Sequence, residues 1–379
     1  MSVNTHPSSP PKDNPRTSSR SQAIPKPNPD AWRKIDEKDT TPGRDRTNDA
    51  DRNNTREGPK KRTPEDLRAE IDAALRLSIR TADELDSVLI PARAPIIGQW
   101  FFEGDLGFIF APRGLGKTWI AMALSSAIAN GGQCGPWKAH AEQKVFYVDG
   151  EMPFDAFTER SKGLQCNQNF SVLHHEALFH LAGKVLNLAD PIAQEVLTAL
   201  LLEMKIKVLV LDNLSCLFMG VKENEADAWE AILHWLLTLR RHRIAVVVIH
   251  HSGRNKETMR GTSRREDAAF WVLRLDEIEE ADPRDGACFL SRFTKDRNSQ
   301  TEQAPLRWTI QTMSDGSVAA SCKEARNIDV FRRWVEDGLE CAEDIAREMG
   351  VTKGTVSKLA KKAIDDGWLK KDGRKYVLV

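Results

Sequence analysis

The chain has no CxxC pair. Its six cysteines (Cys134, Cys166, Cys216, Cys288, Cys322 and Cys341) are scattered, which gives no zinc-site spacing and favours a reducing compartment, the cytoplasm. Cys216 and Cys288 lie in apolar runs and read as small core residues. Also missing is any apolar run near the ~20 residues that span a bilayer. Residues 1–11 hold no apolar segment of the secretory type, so no membrane partner is expected. Charge of either sign is not in excess: 55 Lys and Arg face 55 Asp and Glu. The overall balance therefore does not announce nucleic acid, and any basic surface must be local.

What is present suggests two or three domains in 379 residues, with 40% hydrophobic residues to fill a core. Residues 1–62 are rich in Pro, Ser, Thr, Asn, Asp and Arg, with Trp32 and Ile35 almost alone as large apolar groups. Such a tail buries too little to offset ordering entropy and reads as disordered. Residues 63–95 read as a helix and connector: Thr63-Pro64-Glu65 looks like an N-cap with proline at the first helical position. Residues 96–322 alternate strand and helix. Continuous apolar strands at Leu106–Phe110, Val145–Asp149, Val208–Asp212 and Ala245–His250 predict a doubly wound, mostly parallel α/β sheet. Helices read at Thr118–Ala129, Pro191–Met204 and Asp227–Arg241, and further β runs at Phe270–Leu275, Ala287–Phe293 and Leu306–Ile310. Its ligand site is expected at the carboxyl ends of the strands. Residues 323–379 read as a first helix around Val330–Trp334, then helix-turn-helix (Cys341–Met349 and Thr352–Asp366), then a hairpin with an Asp-Gly turn, as in a winged helix.

The stretch Ala111-Pro112-Arg113-Gly114-Leu115-Gly116-Lys117-Thr118 lies between the first strand and the helix opening at Trp119. In that setting it reads as a phosphate-binding loop. The N–H groups of Gly114, Leu115 and Gly116 can wrap a phosphate at the helix N-terminus. Lys117 reaches the β/γ-phosphates and the Thr118 hydroxyl holds Mg²⁺. Ala111 stands where a first glycine is usual. Asp212 ends a buried strand and is the second metal-side carboxylate, acting through a bound water. Asn213, not glutamate, follows it, so a base for attacking water must come from elsewhere. Glu151, in VDGEMP, is the candidate, on a strand expected to neighbour the phosphate-loop strand. Asp149 is a secondary ligand candidate.

APRGLGKT, VDGEMP, VLVLDN, VIHHSGR and FTKDRN, in this order, resemble the RecA-type ATPase core of hexameric replicative helicases, nearest to the plasmid RepA-like and DnaB-type group. The resemblance covers about Ile96 to Thr312. It implies ATP and Mg²⁺ as cofactors, a homo-oligomeric ring, and Glu151 as the residue that polarises water. Alanine at the Ala111 position also occurs in DnaB-type proteins. The resemblance further implies a γ-phosphate sensor in the His250–His251 pair, best aligned with His251, and a Lys295/Arg297 pair that reaches a neighbouring subunit's nucleotide.

In such a core, loops at Leu217–Asp227 and Ser252–Arg265 line the ring's pore. The second carries Arg254, Lys256, Arg260, Arg264 and Arg265, which suit a single-strand DNA backbone. The first has only Lys222. In the terminal helix, Val351, Val356, Leu359 and Ala363 form an apolar face. Lys353, Thr355, Lys358, Lys361 and Lys362 lie largely off it, as expected for a helix entering the major groove of duplex DNA. Lys370, Lys371, Arg374 and Lys375 decorate the hairpin. The leading expectation is an ATP-driven DNA helicase with an initiator or primase as partner. Two alternatives are an ATP-switched DNA-binding regulator that does not unwind and a RecA-type repair or recombination ATPase.

Overall fold

The structure, a computed structural model, describes residues 63–221, 226–253, 264–278, 286–301 and 303–379, without the side chains of 226–228 and 264–265. Arg254, Lys256 and Arg260, the Lys222 position and the Arg264 and Arg265 side chains lie outside the described residues.

The chain divides into two compact units, 1–87 and 88–379. In the first, helix α1 (Pro64–Ser78) begins as expected. Thr63 Oγ1 accepts the Asp66 N–H at 3.1 Å, and the Asp66 carboxylate accepts the Thr63 N–H at 3.0 Å. This reciprocal bonding satisfies two orphan helix-end donors. No residue of α1 is buried.

The second unit is built on a mixed sheet of nine strands. In chain order, its first half contains β1 (Leu106–Ala111), α2 (Lys117–Asn130), β2 (Val145–Asp149), α3 (Phe154–Gly163), β3 (Phe170–His174), α4 (His175–Ala182) and α5 (Pro191–Glu203). The chain continues through β4 (Val208–Asp212), α6 (Ala226–Arg241), β5 (Ala245–His251), β6 (Trp271–Asp276), β7 (Ala287–Asp296), β8 (Leu306–Thr312) and β9 (Val318–Glu324). The strand order is β9-β8-β7-β6-β1-β5-β4-β2-β3. From β6 to β3 every pair is parallel, and from β6 to β9 every pair is antiparallel. The doubly wound sheet read from the apolar runs is therefore present, with an antiparallel extension.

One expectation is overturned. Strand β2, which leads to Glu151, does not neighbour β1. It pairs with β4 and β3, and β5 and β4 stand between it and the phosphate loop. Chain order suggested adjacency, but the crossovers after β3 and β4 insert two strands there.

Successive β1 side chains point to opposite faces. Ile109 and Ala111 join the core beneath α2 and α3. Phe108 and Phe110 join the core beneath α5 and α6, with Leu201, Trp229 and Leu239. Gly107 is required by packing: a Cβ there would stand 2.0 Å from the Trp271 ring. Trp271 in turn meets Trp100 and Phe101 edge-on, at centroid distances of 4.8 and 5.1 Å. The cysteine expectation needs correcting. Cys134 is the buried thiol, while Cys216 and Cys288 are half-buried. Cys216 sits on a single helical turn (Leu214–Leu217) rather than in a core strand, and Cys288 lies near the open start of β7.

After β9 come α7 (Asn327–Glu336), α8 (Ala342–Glu348), α9 (Lys353–Asp365) and a hairpin of β10 (Leu369–Asp372) and β11 (Lys375–Leu378). These have their own small core around Phe331, Ile345, Val356, Ala363 and Tyr376. They are held to the sheet by ion pairs. Asp276 of β6 accepts from Arg274 at 2.7 Å and Arg292 at 3.1 Å, with Arg333 of α7 at 3.5 Å. Asp337 accepts from Arg274 at 3.2 Å and from Arg292. A cavity of about 690 Å³ lies beside this network, but its arginines are already occupied by carboxylates and it holds none of the expected site residues. Among the described residues no helix is long and apolar enough to cross a membrane.

Candidate nucleotide site

A cavity of about 560 Å³ opens at the carboxyl ends of the parallel strands, and Gly114, Lys117, Thr118, Glu151, Asp212 and His251 are among its lining residues. Arg113, Gly116 and Trp119 line it as well. The loop turns into α2 through Gly116, whose φ of +94° is left-handed backbone. A Cβ at Gly116 would also come within 2.8 Å of Phe289, so both conformation and space demand glycine.

Lys117 is 7% exposed. Its ammonium folds back on the loop, donating to the carbonyls of Pro112 at 2.8 Å and Ala111 at 3.2 Å. Burial lowers its pKa to about 8; the Asp212 and Glu151 carboxylates oppose that shift, and Arg113 adds to it. Asp212 is 2% exposed. Burial raises its pKa, against hydrogen bonds from Tyr147 and Thr118. The Tyr147 hydroxyl donates to Asp212 Oδ2 at 2.7 Å. A hydroxyl and a buried carboxylate thus meet beside the phosphate loop, a donor set of oxygen ligands that suits Mg²⁺.

Glu151 follows β2 on a turn shaped by Asp149, whose Oδ1 accepts the N–H groups of Glu151 at 3.1 Å and Met152 at 2.9 Å. Burial and the nearby Asp212 carboxylate raise the Asp149 pKa to about 7. Glu151 meets the end of β4 directly: Asn213 donates its side-chain amide to Glu151 Oε2. His251 Nε2 stands 3.4 Å from the same amide nitrogen and 4.0 Å from Glu151 Oε2. So the residues after β2, β4 and β5 converge, although β2 is far from β1 in strand order.

Other expected residues are elsewhere. His250 is fully buried within the sheet and does not line the cavity. Lys295 donates to the carbonyls of Glu266 and, at 3.4 Å, Asp267, while Arg297 donates to Asp267 O at 3.1 Å. Their shared acceptor shows that the two side chains point the same way, and neither lines this cavity. On α9, Lys353, Lys358, Lys361 and Lys362 are exposed and Thr355 is half-buried. Lys353 pairs with Glu343, and Lys375 on the hairpin pairs with Glu340.

The sequence reading missed four residues. Tyr147 is one of only two tyrosines in the chain, and its hydroxyl inside an apolar strand was the available signal. Arg160 lines the cavity and stacks on Trp119, 4.1 Å from the ring centroid. Asn213 was noticed only as a missing glutamate. His174, 2% exposed, faces Asp149 with Nε2 3.5 Å from Oδ1. With His175 they offer ligand atoms within 4.8 Å of one another. However, His174 Nδ1 accepts the Glu176 N–H at 3.2 Å. The proton of the neutral ring therefore sits on Nε2, so neither ring nitrogen keeps a free lone pair for a metal, and Nε2 makes no hydrogen bond of its own. Burial and His175 lower the His174 pKa and keep the ring neutral.

Residues 72–257 match a family model described as an AAA domain. No curated protein matches the chain. Among solved structures, it is similar to the flagellar accessory protein FlaH from Methanocaldococcus jannaschii, with 11% identity, 57% of this chain and 89% of that chain covered, and a TM-score of 0.38. It is also similar to a KaiC-like protein from Pyrococcus horikoshii OT3, with 13% identity, 58% and 91% covered, and a TM-score of 0.41. The AAA match, and the strand–loop–helix geometry within it, support a P-loop ATPase.

Proposed function

We propose that the protein is a Mg²⁺-dependent ATPase that works as an oligomeric DNA motor of the RepA-like helicase kind. The observation that carries this reading is the single cavity that gathers Lys117, Thr118 and Asp212 with Glu151 and His251. The loop N–H groups and Lys117 hold the phosphates, and Thr118 and Asp212 would hold the metal, which would supply charge neutralisation to the phosphates. Glu151 orients and deprotonates the attacking water. His251, within reach of Glu151, senses the γ-phosphate and relays its loss to the loop after β5. Lys295 and Arg297 serve a neighbouring subunit's nucleotide. What supports a role in trans is that they share one direction and stay out of their own chain's cavity.

The three helices and hairpin after β9 serve as a winged helix on duplex DNA. The exposed Lys358, Lys361 and Lys362 and the hairpin's Lys370, Lys371 and Arg374 form its phosphate-facing surface. ATPase turnover should rise with single-stranded DNA, and Glu151→Gln should abolish turnover while nucleotide still binds. Unwinding of a forked duplex separates the motor from a DNA-binding regulator that uses ATP only as an assembly switch. ATPase activity that stays flat with DNA at low salt, together with an intact fork, would assign the chain to the regulator.

A further inference from the structure

We infer that Asn213 is a positioning residue, which aims the Glu151 carboxylate into the cavity and links it to His251. Glu151 needs such a partner. Its side chain is 54% exposed, sits on a turn, and has several rotatable bonds, so an unrestrained carboxylate would sample many positions around the attacking water. Asn213 is the opposite case, 1% exposed at the end of a buried strand. Its Oδ1 accepts the Cys216 N–H at 3.2 Å, capping the helical turn Leu214–Leu217. That bond fixes which way the amide faces and leaves Nδ2 turned to Glu151 and His251, two residues that line the cavity. One Nδ2 hydrogen goes to Glu151 Oε2 and the other points at His251 Nε2, 3.4 Å away.

An amide suits this place better than the glutamate often sought after such a strand. It is neutral at every working pH, so it adds no charge beside Asp212 and Glu151. Its two N–H groups serve two acceptors at once. Asn213 takes no proton itself; it holds the group that does. The strands β2, β4 and β5 are consecutive in the sheet, so the middle one, β4, is the only strand whose end reaches both flanking residues.

The inference rests on the reading of Glu151 as the base, and the experiment separates the two. Asn213→Ser and Asn213→Asp both keep an oxygen able to cap the helical turn. Serine is too short to reach Glu151, and aspartate puts a second acceptor against it. If Asn213 only caps, Asn213→Ser turns over like wild type. If it positions Glu151, Asn213→Ser loses roughly ten- to a hundredfold in kcat, while its KM, affinity for a non-hydrolysable ATP analogue and melting temperature stay at wild-type values; Asn213→Asp loses turnover at least as far and, through its added charge, analogue affinity as well. Wild-type kcat in Asn213→Ser, with Glu151→Gln inactive, overturns the positioning role and leaves Glu151 as the base. Full turnover by Glu151→Gln overturns the base reading itself.

Discussion

The Tyr147 hydroxyl donates to Asp212 Oδ2 at 2.7 Å from inside the sheet, so the metal-side carboxylate is held from behind by a strand neighbour. The tyrosine ring is independently fixed between Phe157 and Phe170, at centroid distances of 5.5 and 5.7 Å. Tyr147→Phe should therefore fold normally yet remove a bond that opposes the burial-driven rise in the Asp212 pKa. The expected result is a several-fold rise in the Mg²⁺ concentration giving half-maximal hydrolysis, in line with about 1–3 kcal/mol for a hydrogen bond to a charged group. A Mg²⁺ titration of ATPase activity reads this directly.

Lys117 leads to a pH dependence. Burial brings its pKa to about 8, below the ordinary lysine value, and the phosphates of bound ATP raise it again. Binding above pH 8 must then take up a proton. Affinity should fall as pH rises from 8 towards 10, by up to about tenfold per unit. Calorimetry at pH 9 in buffers of different ionisation enthalpy should show that uptake; heats independent of buffer would contradict it.

Asp149 acts in the other direction, on stability. Its folded pKa of about 7 lies above the usual carboxylate value because of burial and Asp212. The raised value means that its stabilising contribution is present at acid pH and lost as pH climbs through 7. Asp149→Asn keeps an oxygen for the Glu151 and Met152 N–H groups and removes the charge. The variant should be more stable than wild type at pH 8 and lose that advantage towards pH 4, as urea unfolding at both values would reveal.

Gly107 gives a packing prediction. A methyl placed 2.0 Å from the Trp271 ring forces that ring out of a cluster shared with Trp100 and Phe101. Gly107→Ala should lose about 1–3 kcal/mol, the usual cost of overpacking, visible as a lower denaturant midpoint.

The ion-pair network gives the last. Asp337 accepts from Arg274 and Arg292 and is 13% exposed. Removing it leaves Arg274 and Arg292 sharing Asp276, so Asp337→Ala should cost about 1–3 kcal/mol, the loss of hydrogen bonds to a charged group. Proteolysis should then cut first near the α7 boundary, whereas an unchanged digestion pattern would show that the network does not hold the terminal helices.

The readable parts of the sequence were those whose physics is local. Strands β1, β2, β4 and β5 are buried along their length, so they appear as continuous apolar runs, and the Thr63 cap and phosphate loop carry their own residue signatures. Strand β3 went unread because it is an edge strand, buried only at Phe170 and His174. Strand β9 is similar, with no fully buried residue in VAASCKE. Helix α3 escaped because it is polar and buries only Phe157 and Gly163. Strand order was misjudged because adjacency depends on crossovers that leave no local mark. The partnership of Glu151 with Asn213 was invisible for the same reason, since the two lie far apart in sequence and meet only through the β2–β4 pairing.

That strand order turns the sheet into a ruler. Three inter-strand steps separate β1, which ends in the phosphate loop, from β2, which delivers Glu151. At about 4.8 Å per step they span roughly 14 Å. The anchoring groups and the base are therefore held at opposite ends of a fixed gauge, with Asp212 and His251 on the divisions between. Inserting or deleting one strand would misplace Glu151 by a full division, so the spacing of this site is written in the topology as much as in the side chains.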